Sequence, residues 1–134
     1  MNAFFNRLQN PLTLLGRLLI ATIFVGAGYS KLGGYAATQG YMESMGVPGA
    51  LLPLVILAEL GGGLAIVLGF LTRLAALGLA VFSIASAFIF HGGSADQVQQ
   101  IMFLKNLAMA GGFLFLVAHG AGQYSLDAKL FKQS

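Results

Sequence analysis

Glu59 has the clearest potential for chemistry, because it interrupts a long apolar stretch between residues 48 and 70. It lies eleven residues from either end of that stretch, which predicts a position near the middle of a membrane at a rise of about 1.5 Å per residue. An ionisable side chain there costs about 2.5 to 3.5 kcal/mol, so its presence points to a role. No sequence neighbour can pair with it. Its partner therefore comes from another helix, or its carboxyl group is protonated.

Basic and amide side chains on two other apolar stretches are the candidates to face Glu59. Arg17 and Lys31 fall on one helical face of the first stretch. Lys105 and Asn106 enter the last stretch about one and a half turns from its start. Lys105 comes within reach of Glu59, and Arg17 approaches it from the other half of the membrane. We predict one carboxylate shared by two or three cations, with an excess of positive charge that favours an electron-rich ligand or a lipid phosphate.

The same residues also have ordinary structural interpretations. Arg17, Lys31 and Lys105 can each extend to lipid phosphates at a membrane surface. Glu59 is too deep and too short for that, but it can make a purely structural hydrogen bond between helices. Both interpretations stay open at this point.

Histidine and cysteine usage points away from a metal centre. His91 and His119 fall near membrane surfaces, so they are favoured as surface histidines. Because they lie on opposite sides of the membrane, they cannot share a metal. The chain has no cysteine, which removes disulfides, thiol redox chemistry and cysteine metal sites. We therefore predict no metal site and assign no catalytic residue.

The composition sets the class of protein that must position these side chains. Of 134 residues, 57% are hydrophobic and 8% are charged, whereas a soluble domain carries about a quarter charged residues. A water-soluble globule is excluded, and the length allows one domain. The basic residues are scattered singly, so nothing indicates nucleic-acid binding.

The elements follow from the apolar stretches, each of about 20 residues as a membrane-spanning helix requires. We expect an all-α membrane protein, with residues 1–134 forming a single four-transmembrane-helix bundle. Tyrosines and methionines between glycines in residues 33–47 predict a short interfacial helix in the first outer loop. The glycine run at 61–63 is favoured as a site of close helix packing. The predicted helices span residues 11–32, 48–70, 72–90 and 100–118.

The orientation is predicted from the lysines and arginines near the helix ends, which are enriched on the cytoplasmic side. Five lie on the side of the termini and two on the other side, so both termini are expected in the cytoplasm. The first helix is long and no clean cleavage site follows it, so we expect it to be retained. The five are Arg7, Arg17, Arg73, Lys129 and Lys132, and the two are Lys31 and Lys105.

Three segments stand out for their residue pattern: GRLLIATIFVGAGYSKL at 16–32, AELGGGLAIVLGFLTRLAALGLAV at 58–81 with FHGG downstream, and FLKNLAMAGGFLFLVAHGAGQYSLD at 103–127. In this order they resemble the DoxX family of bacterial inner-membrane proteins. The resemblance implies a multi-pass inner-membrane protein with four helices. Some relatives are associated with quinone-linked oxidation of sulfur compounds and others with membrane complexes that counter oxidative stress. The positions that coincide with the family pattern are Arg17, Lys31, Glu59, Lys105 and Asn106.

The first function that fits these observations is a redox-associated membrane subunit that binds quinone around Glu59. Quinone carbonyls accept hydrogen bonds from basic side chains, and a carboxyl group can relay the accompanying proton. Phe24, Phe88 and Phe103 are candidates to pack on the ring. The electrons would come from a membrane-associated redox partner, so the sequence favours a subunit over a stand-alone enzyme.

Two other functions stay open. A non-catalytic membrane module could assemble or stabilise a partner complex, or a homo-oligomer, through small-residue faces at Gly26, Gly62 and Gly112. A transport component could move a small solute or a proton through the polar pocket, although four helices are few for alternating access.

Overall fold

The computed structural model describes residues 1–93 and 95–131, and in these ranges the chain is almost wholly helical. Four of its helices are long and apolar enough to cross a membrane. The predicted all-α, four-helix architecture is therefore confirmed. In chain order the helices are α1 (Asn2–Arg7), α2 (Gln9–Gly33), α3 (Tyr35–Ser44), α4 (Leu52–Ile56), α5 (Gly62–Leu68), α6 (Thr72–Phe90), α7 (Gln97–His119) and α8 (Leu126–Phe131).

The second membrane span is composite. A 3₁₀ turn (Gly49–Leu51) leads into α4, and a π-helical turn (Leu57–Gly61) joins α4 to α5, so that Gly49–Leu68 forms one continuous span. A π turn adds a residue to the local helical repeat and rotates the side chains that follow it. Glu59 lies at the centre of this turn.

Neighbouring spans pack in chain order: α2 on the composite span, the composite span on α6, and α6 on α7. We call the end of the bundle that carries α1, the α5–α6 turn and α8 the terminal end, and the opposite end, which carries α3, the loop end. The short helix predicted in the first outer loop is present as α3. The cytoplasmic location of the terminal end stays a prediction, and Lys132, on which it partly depends, lies outside the described residues.

Glycines bring α2 and the composite span into direct contact. A Cβ atom placed on Gly28 would lie 2.9 Å from both the Cβ and the backbone nitrogen of Leu60. In the reverse direction, a Cβ on Gly63 would lie 2.9 Å from Val25 Cγ2. Only glycine allows so close an approach, so the prediction that the glycine run serves helix packing is confirmed.

The space between α2 and α7 is divided by a narrow apolar wall. The Phe24 and Phe113 rings meet edge to face at a centroid distance of 5.3 Å. One turn towards the terminal end, Ile20 presses against Gly112, where an added Cβ would lie 2.7 Å from Ile20 Cδ1. A cavity lies on each side of this wall, and we call them the loop-end cavity and the terminal-end cavity.

Candidate functional site

Glu59 is paired with a single cation. Its Oε1 lies 2.7 Å from Lys31 Nζ, and the side chains are 8% and 26% exposed respectively. Oε1 has no donor with hydrogen-bond geometry among the described residues, so the contact is ionic rather than directed. The prediction that two or three cations share this carboxylate is therefore wrong. A π-helical turn and the close Gly28–Leu60 contact bring the two helices near enough for one lysine to reach it.

Glu59 lies near the middle of its own span, because Gly49–Leu68 places it ten residues from Gly49 and nine from Leu68. Its neighbour Leu60 packs beside Gly28, five residues from the end of α2 at Gly33. Lys31 is closer still to that end of α2. The lysine therefore reaches the carboxylate from the last turn of α2.

The Lys31–Glu59 pair faces the loop-end cavity, which has a volume of about 420 Å³. Most of its wall is apolar, and α2, α3, the composite span, α6 and α7 all contribute to it. Ser83 from α6 and Asn106 from α7 also line it, and they are only 1% and 8% exposed. The Ser83 hydroxyl has no hydrogen-bond partner within residues 1–93 and 95–131. The cavity therefore offers an unsatisfied hydroxyl group in an apolar setting.

Lys105 lines the same cavity but does not contact Glu59. Its side chain is exposed, and Nζ lies 3.3 Å from Met102 Sδ, one turn earlier on α7. The expected approach of Lys105 to the carboxylate is therefore not observed, because its ammonium group stays on its own helix. Four of the five predicted site residues nevertheless surround one cavity: Lys31, Glu59, Lys105 and Asn106.

Arg17 belongs to a different part of the molecule. It is 1% exposed, and its Nη2 donates to the backbone carbonyl of Tyr124 in the segment that follows α7. Along α2 it lies fourteen residues from Lys31, or about 21 Å at 1.5 Å per residue. The prediction that Arg17 approaches Glu59 is wrong, because the chain after α7 folds back and occupies the guanidinium.

Asp127 is the acidic residue of this second cluster. Its carboxylate oxygens accept hydrogen bonds from the backbone nitrogens of Leu71 and Thr72, at 2.7 and 2.9 Å. Its own backbone nitrogen donates to the carbonyl of Gly69 at 2.8 Å. Asp127 therefore caps the start of α6 and fastens α8 to the α5–α6 turn.

The aromatic residues around the loop-end cavity differ in part from those expected. Phe24 lines it, whereas Phe88 and Phe103 do not belong to its lining and instead contact each other at a centroid distance of 5.1 Å. Phe82 and Phe90 of α6 line it in their place. Helical periodicity alone leaves this choice open, because it does not fix the rotation of α6 relative to α7.

The cavity is also lined by His91, which the sequence favoured as a surface residue. Its Nδ1 lies 2.6 Å from Gln99 Oε1. Across residues 1–93 and 95–131, no group of three His, Cys, Asp or Glu side chains could hold a metal ion. His91 was identifiable from its helical face with Ser83, but that spacing does not reveal a cavity.

Two of the three glycines expected to contact partners instead pack inside the bundle. A Cβ on Gly62 would meet Leu79 of α6 at 3.2 Å, and Gly112 meets Ile20 of α2. Gly26 alone of the three has no atom within 4 Å of an added Cβ. The proposed small-residue contact surface is thus mostly used within the bundle.

Comparison with known proteins gives the family. Residues 12–92 match DoxX. The chain is 52% identical over 127 residues to the inner membrane protein YqjF of Escherichia coli (strain K12), covering 95% of this chain and 98% of the relative. It is 34% identical over 132 residues to the inner membrane protein YphA of the same organism, covering 93% and 94%. No solved structure matches.

These matches extend over almost the whole chain and agree with its four apolar spans. The protein is a multi-pass protein of the bacterial inner membrane, and it belongs to the DoxX family.

Proposed function

We propose that the loop-end cavity binds a membrane quinone and that the chain acts as a redox-associated subunit of the inner membrane. The observation that carries the proposal is the buried Ser83 hydroxyl, which has no hydrogen-bond partner among the described residues, together with the buried Asn106 side chain beside the Lys31–Glu59 pair. Buried polar groups in proteins are nearly always hydrogen-bonded. A ligand with carbonyl acceptors supplies the missing partner.

The size and lining of the cavity suit such a ligand. Its volume of about 420 Å³ falls within the range of about 300 to 1,000 Å³ that small-molecule sites usually have. Phe24, Phe82 and Phe90 provide aromatic surface for a ring, and donors stand at Ser83 and Asn106. A quinone has an apolar ring and two carbonyl groups, so its ring suits the apolar walls and its carbonyl groups suit the few polar side chains.

Lys31 and Glu59 are placed to hold charge and protons beside the ligand. A quinone, when bound, takes up electrons together with protons, and a carboxyl group within the cavity wall can donate or accept one. Lys31 holds the Glu59 carboxylate in position. The chain has no cysteine, so no thiol passes electrons to the site. We therefore expect a membrane-associated redox protein to act as the electron donor. Association of this chain with further copies of itself is a second expected interaction.

A binding experiment in nanodiscs tests the proposal. Titration with a short-chain quinone should give saturable binding to the wild-type protein, and Asn106→Leu should weaken it about tenfold, because one buried hydrogen bond contributes about 1 to 1.5 kcal/mol. Glu59→Gln should weaken it as well. Glu43→Gln is the matched control, because Glu43 is exposed, lies on α3 at the same end, and does not line the cavity.

The proposal fails if the wild-type protein shows no saturable quinone binding, or if the Asn106→Leu and Glu59→Gln variants bind as the wild type does. Mass spectrometry of material purified from native membranes gives an independent measure. Loss of a small molecule in Glu59→Gln supports the quinone site. Loss of a protein partner alone favours an assembly role instead.

A further inference from the structure

Arg17 is the most deeply buried charged side chain among the described residues, at 1% exposed. Its guanidinium carries five N–H donors and stays protonated. Nη2 donates to Tyr124, whereas Nε and Nη1 have no hydrogen-bond partner in residues 1–93 and 95–131. Nη1 lies against Gly69, which does not line the terminal-end cavity, so Nε is the unpaired donor that does not face this glycine. Donors on a buried cation are rarely left unpaired. The C-terminal segment thus satisfies only part of this guanidinium.

The nearby carboxylate does not complete the pairing. Asp127 attracts Arg17 electrostatically, but its two oxygens accept the backbone N–H groups of Leu71 and Thr72. Within the described part of the chain, no carboxylate oxygen lies within 4.0 Å of the guanidinium nitrogens. The guanidinium therefore keeps the capacity to form a charge-assisted hydrogen bond with an anion.

Arg17 lines the terminal-end cavity, which has a volume of about 740 Å³ and lies between α2 and α7. Asn10, Thr13, His119 and Gln123 provide polar groups around it, and no acidic residue of the described ranges lines it. The Thr13 hydroxyl donates to the Gln9 carbonyl at 2.7 Å. Asn10 Oδ1 accepts a hydrogen bond from the Gln123 backbone nitrogen at 3.3 Å, which leaves the Asn10 NH₂ group available as a donor. Ile20, Leu116 and Phe115 form apolar walls, and Phe115 is 71% exposed on the lipid-facing side.

The charge distribution favours an anion at this end of the bundle. Arg7, Arg73 and Lys129 are exposed there, in addition to the buried Arg17. Asp127 is the sole acidic residue of the terminal end within the described ranges, because Glu43 and Asp96 lie at the loop end and Glu59 lies in the middle of the composite span. A surplus of positive charge raises the local concentration of anions.

We infer that the terminal-end cavity binds a phosphate oxyanion, with Arg17 as its buried cation and Asn10 and Thr13 as neutral polar neighbours. Arginine suits this ligand because its planar donors match phosphate oxygens. The phosphate can belong to a lipid headgroup, whose acyl chains would follow the apolar wall, or to free inorganic phosphate. This site is separate from the loop-end cavity and does not depend on quinone binding there.

Two glycines of α2 allow a test that leaves Arg17 in place. Gly16 lines the terminal-end cavity and Gly26 lines neither cavity, and a Cβ on either would have no atom within 4 Å. Gly16→Leu should fill the cavity and lower phosphate-ligand binding about tenfold, because it removes the space that the anion occupies. Gly26→Leu is the matched control and should bind as the wild type does.

The probes separate the two sources of phosphate. In the lipid arm, native mass spectrometry follows phosphatidylglycerol retained by protein from mixed phosphatidylglycerol and phosphatidylcholine nanodiscs. In the free-anion arm, inorganic phosphate is titrated against protein in pure phosphatidylcholine nanodiscs and the unfolding temperature is recorded. Binding in either arm that is lost in Gly16→Leu and kept in Gly26→Leu supports the site and identifies the source.

An Arg17→Gln variant adds a second measure, with Arg7→Gln as its control because Arg7 is exposed at the same end and lines neither cavity. If Arg17→Gln does not fold, the comparison of Gly16→Leu with Gly26→Leu and the wild type still tests the inference. Equal binding by the wild type and Gly16→Leu overturns the inference. So does an absence of binding above phosphatidylcholine in both arms.

Discussion

At the terminal end, Arg17 and Asp127 are bonded to the backbone: a carbonyl after α7 and two N–H groups at the start of α6. At the loop end, Lys31 and Glu59 contact each other and face a cavity. The first pair joins chain segments that are distant in sequence, whereas the second leaves the backbone hydrogen bonds untouched. The carboxylate of Asp127 thus serves the fold at the terminal end, whereas the carboxylate of Glu59 is available to a ligand at the loop end.

The difference follows from the backbone hydrogen-bonding groups that surround each carboxylate. Asp127 supplies the acceptor that the first turn of every helix lacks, so the fold requires it. Glu59 sits inside a continuous span whose N–H groups are already occupied within the helix. Its carboxylate has no structural task beyond Lys31. An ionisable group inside a membrane raises the free energy of the folded protein, and binding of a ligand or a proton can offset this cost.

The largest effect is expected where the terminal end is most crowded. Gly69 has φ +69°, and an added Cβ would overlap Arg17 Nη1 and lie 2.3 Å from Ser125 Cβ. Gly69→Ala should therefore lower the free energy of unfolding by about 3 to 5 kcal/mol. Reversible unfolding in mixed micelles measures it, with Gly78→Ala as control because nothing lies within 4 Å there. A loss similar to that of the control would contradict the close packing of Arg17 and Ser125 around Gly69.

Paired replacements test the comparison directly. Arg17→Met with Asp127→Leu should cost about 3 kcal/mol, because two buried backbone N–H groups lose their acceptor. Lys31→Met with Glu59→Leu should stay within about 1 kcal/mol of the wild type, since replacing both charges of a pair leaves nothing unsatisfied. The same unfolding assay compares them. Equal losses for the two double variants would remove the distinction between the ends.

Gly28→Ala should have a smaller effect, confined to the loop end. A Cβ at this position would lie 2.9 Å from the Leu60 backbone nitrogen, so α2 and the composite span must separate, at a cost of about 2 kcal/mol. Quinone binding should weaken in parallel, because the Lys31–Glu59 contact lengthens. Gly26→Ala, with open space around it, is the control. Unchanged stability in Gly28→Ala would argue against the close approach.

The smallest change is expected for Lys105→Gln. Lys105 is exposed and contacts Met102 rather than a carboxylate, so the free energy of unfolding should change by no more than about 0.5 kcal/mol. A loss above about 1 kcal/mol would show that Lys105 does share the Glu59 charge. Thermal unfolding in nanodiscs is sufficient to decide.

Much of the architecture could be predicted because membrane spans depend on local composition. The four apolar stretches, the helix in the first outer loop and the packing role of the glycine run all follow from residue type and spacing. The π turn at Glu59 and the fold-back of the chain after α7 could not be predicted in this way. The fold-back depends on contacts between segments far apart in sequence, such as Asp127 with the start of α6, and no residue pattern in the sequence marks the π turn.

By itself, the sequence determined that this protein is a four-helix membrane protein and that lysine, glutamate and asparagine residues on three spans belong together. The number of spans follows from the length of the apolar segments, because a helix must cross the hydrocarbon core of the bilayer. Helical periodicity shows which residues share one face of a helix. The tertiary structure alone decided which cation pairs with Glu59 and where Arg17 belongs, because pairing depends on the level and rotation at which helices meet. Glycines at which an added Cβ would lie less than 3 Å from the neighbouring helix allow the close approach that sets this level, and no spacing within a single helix encodes it.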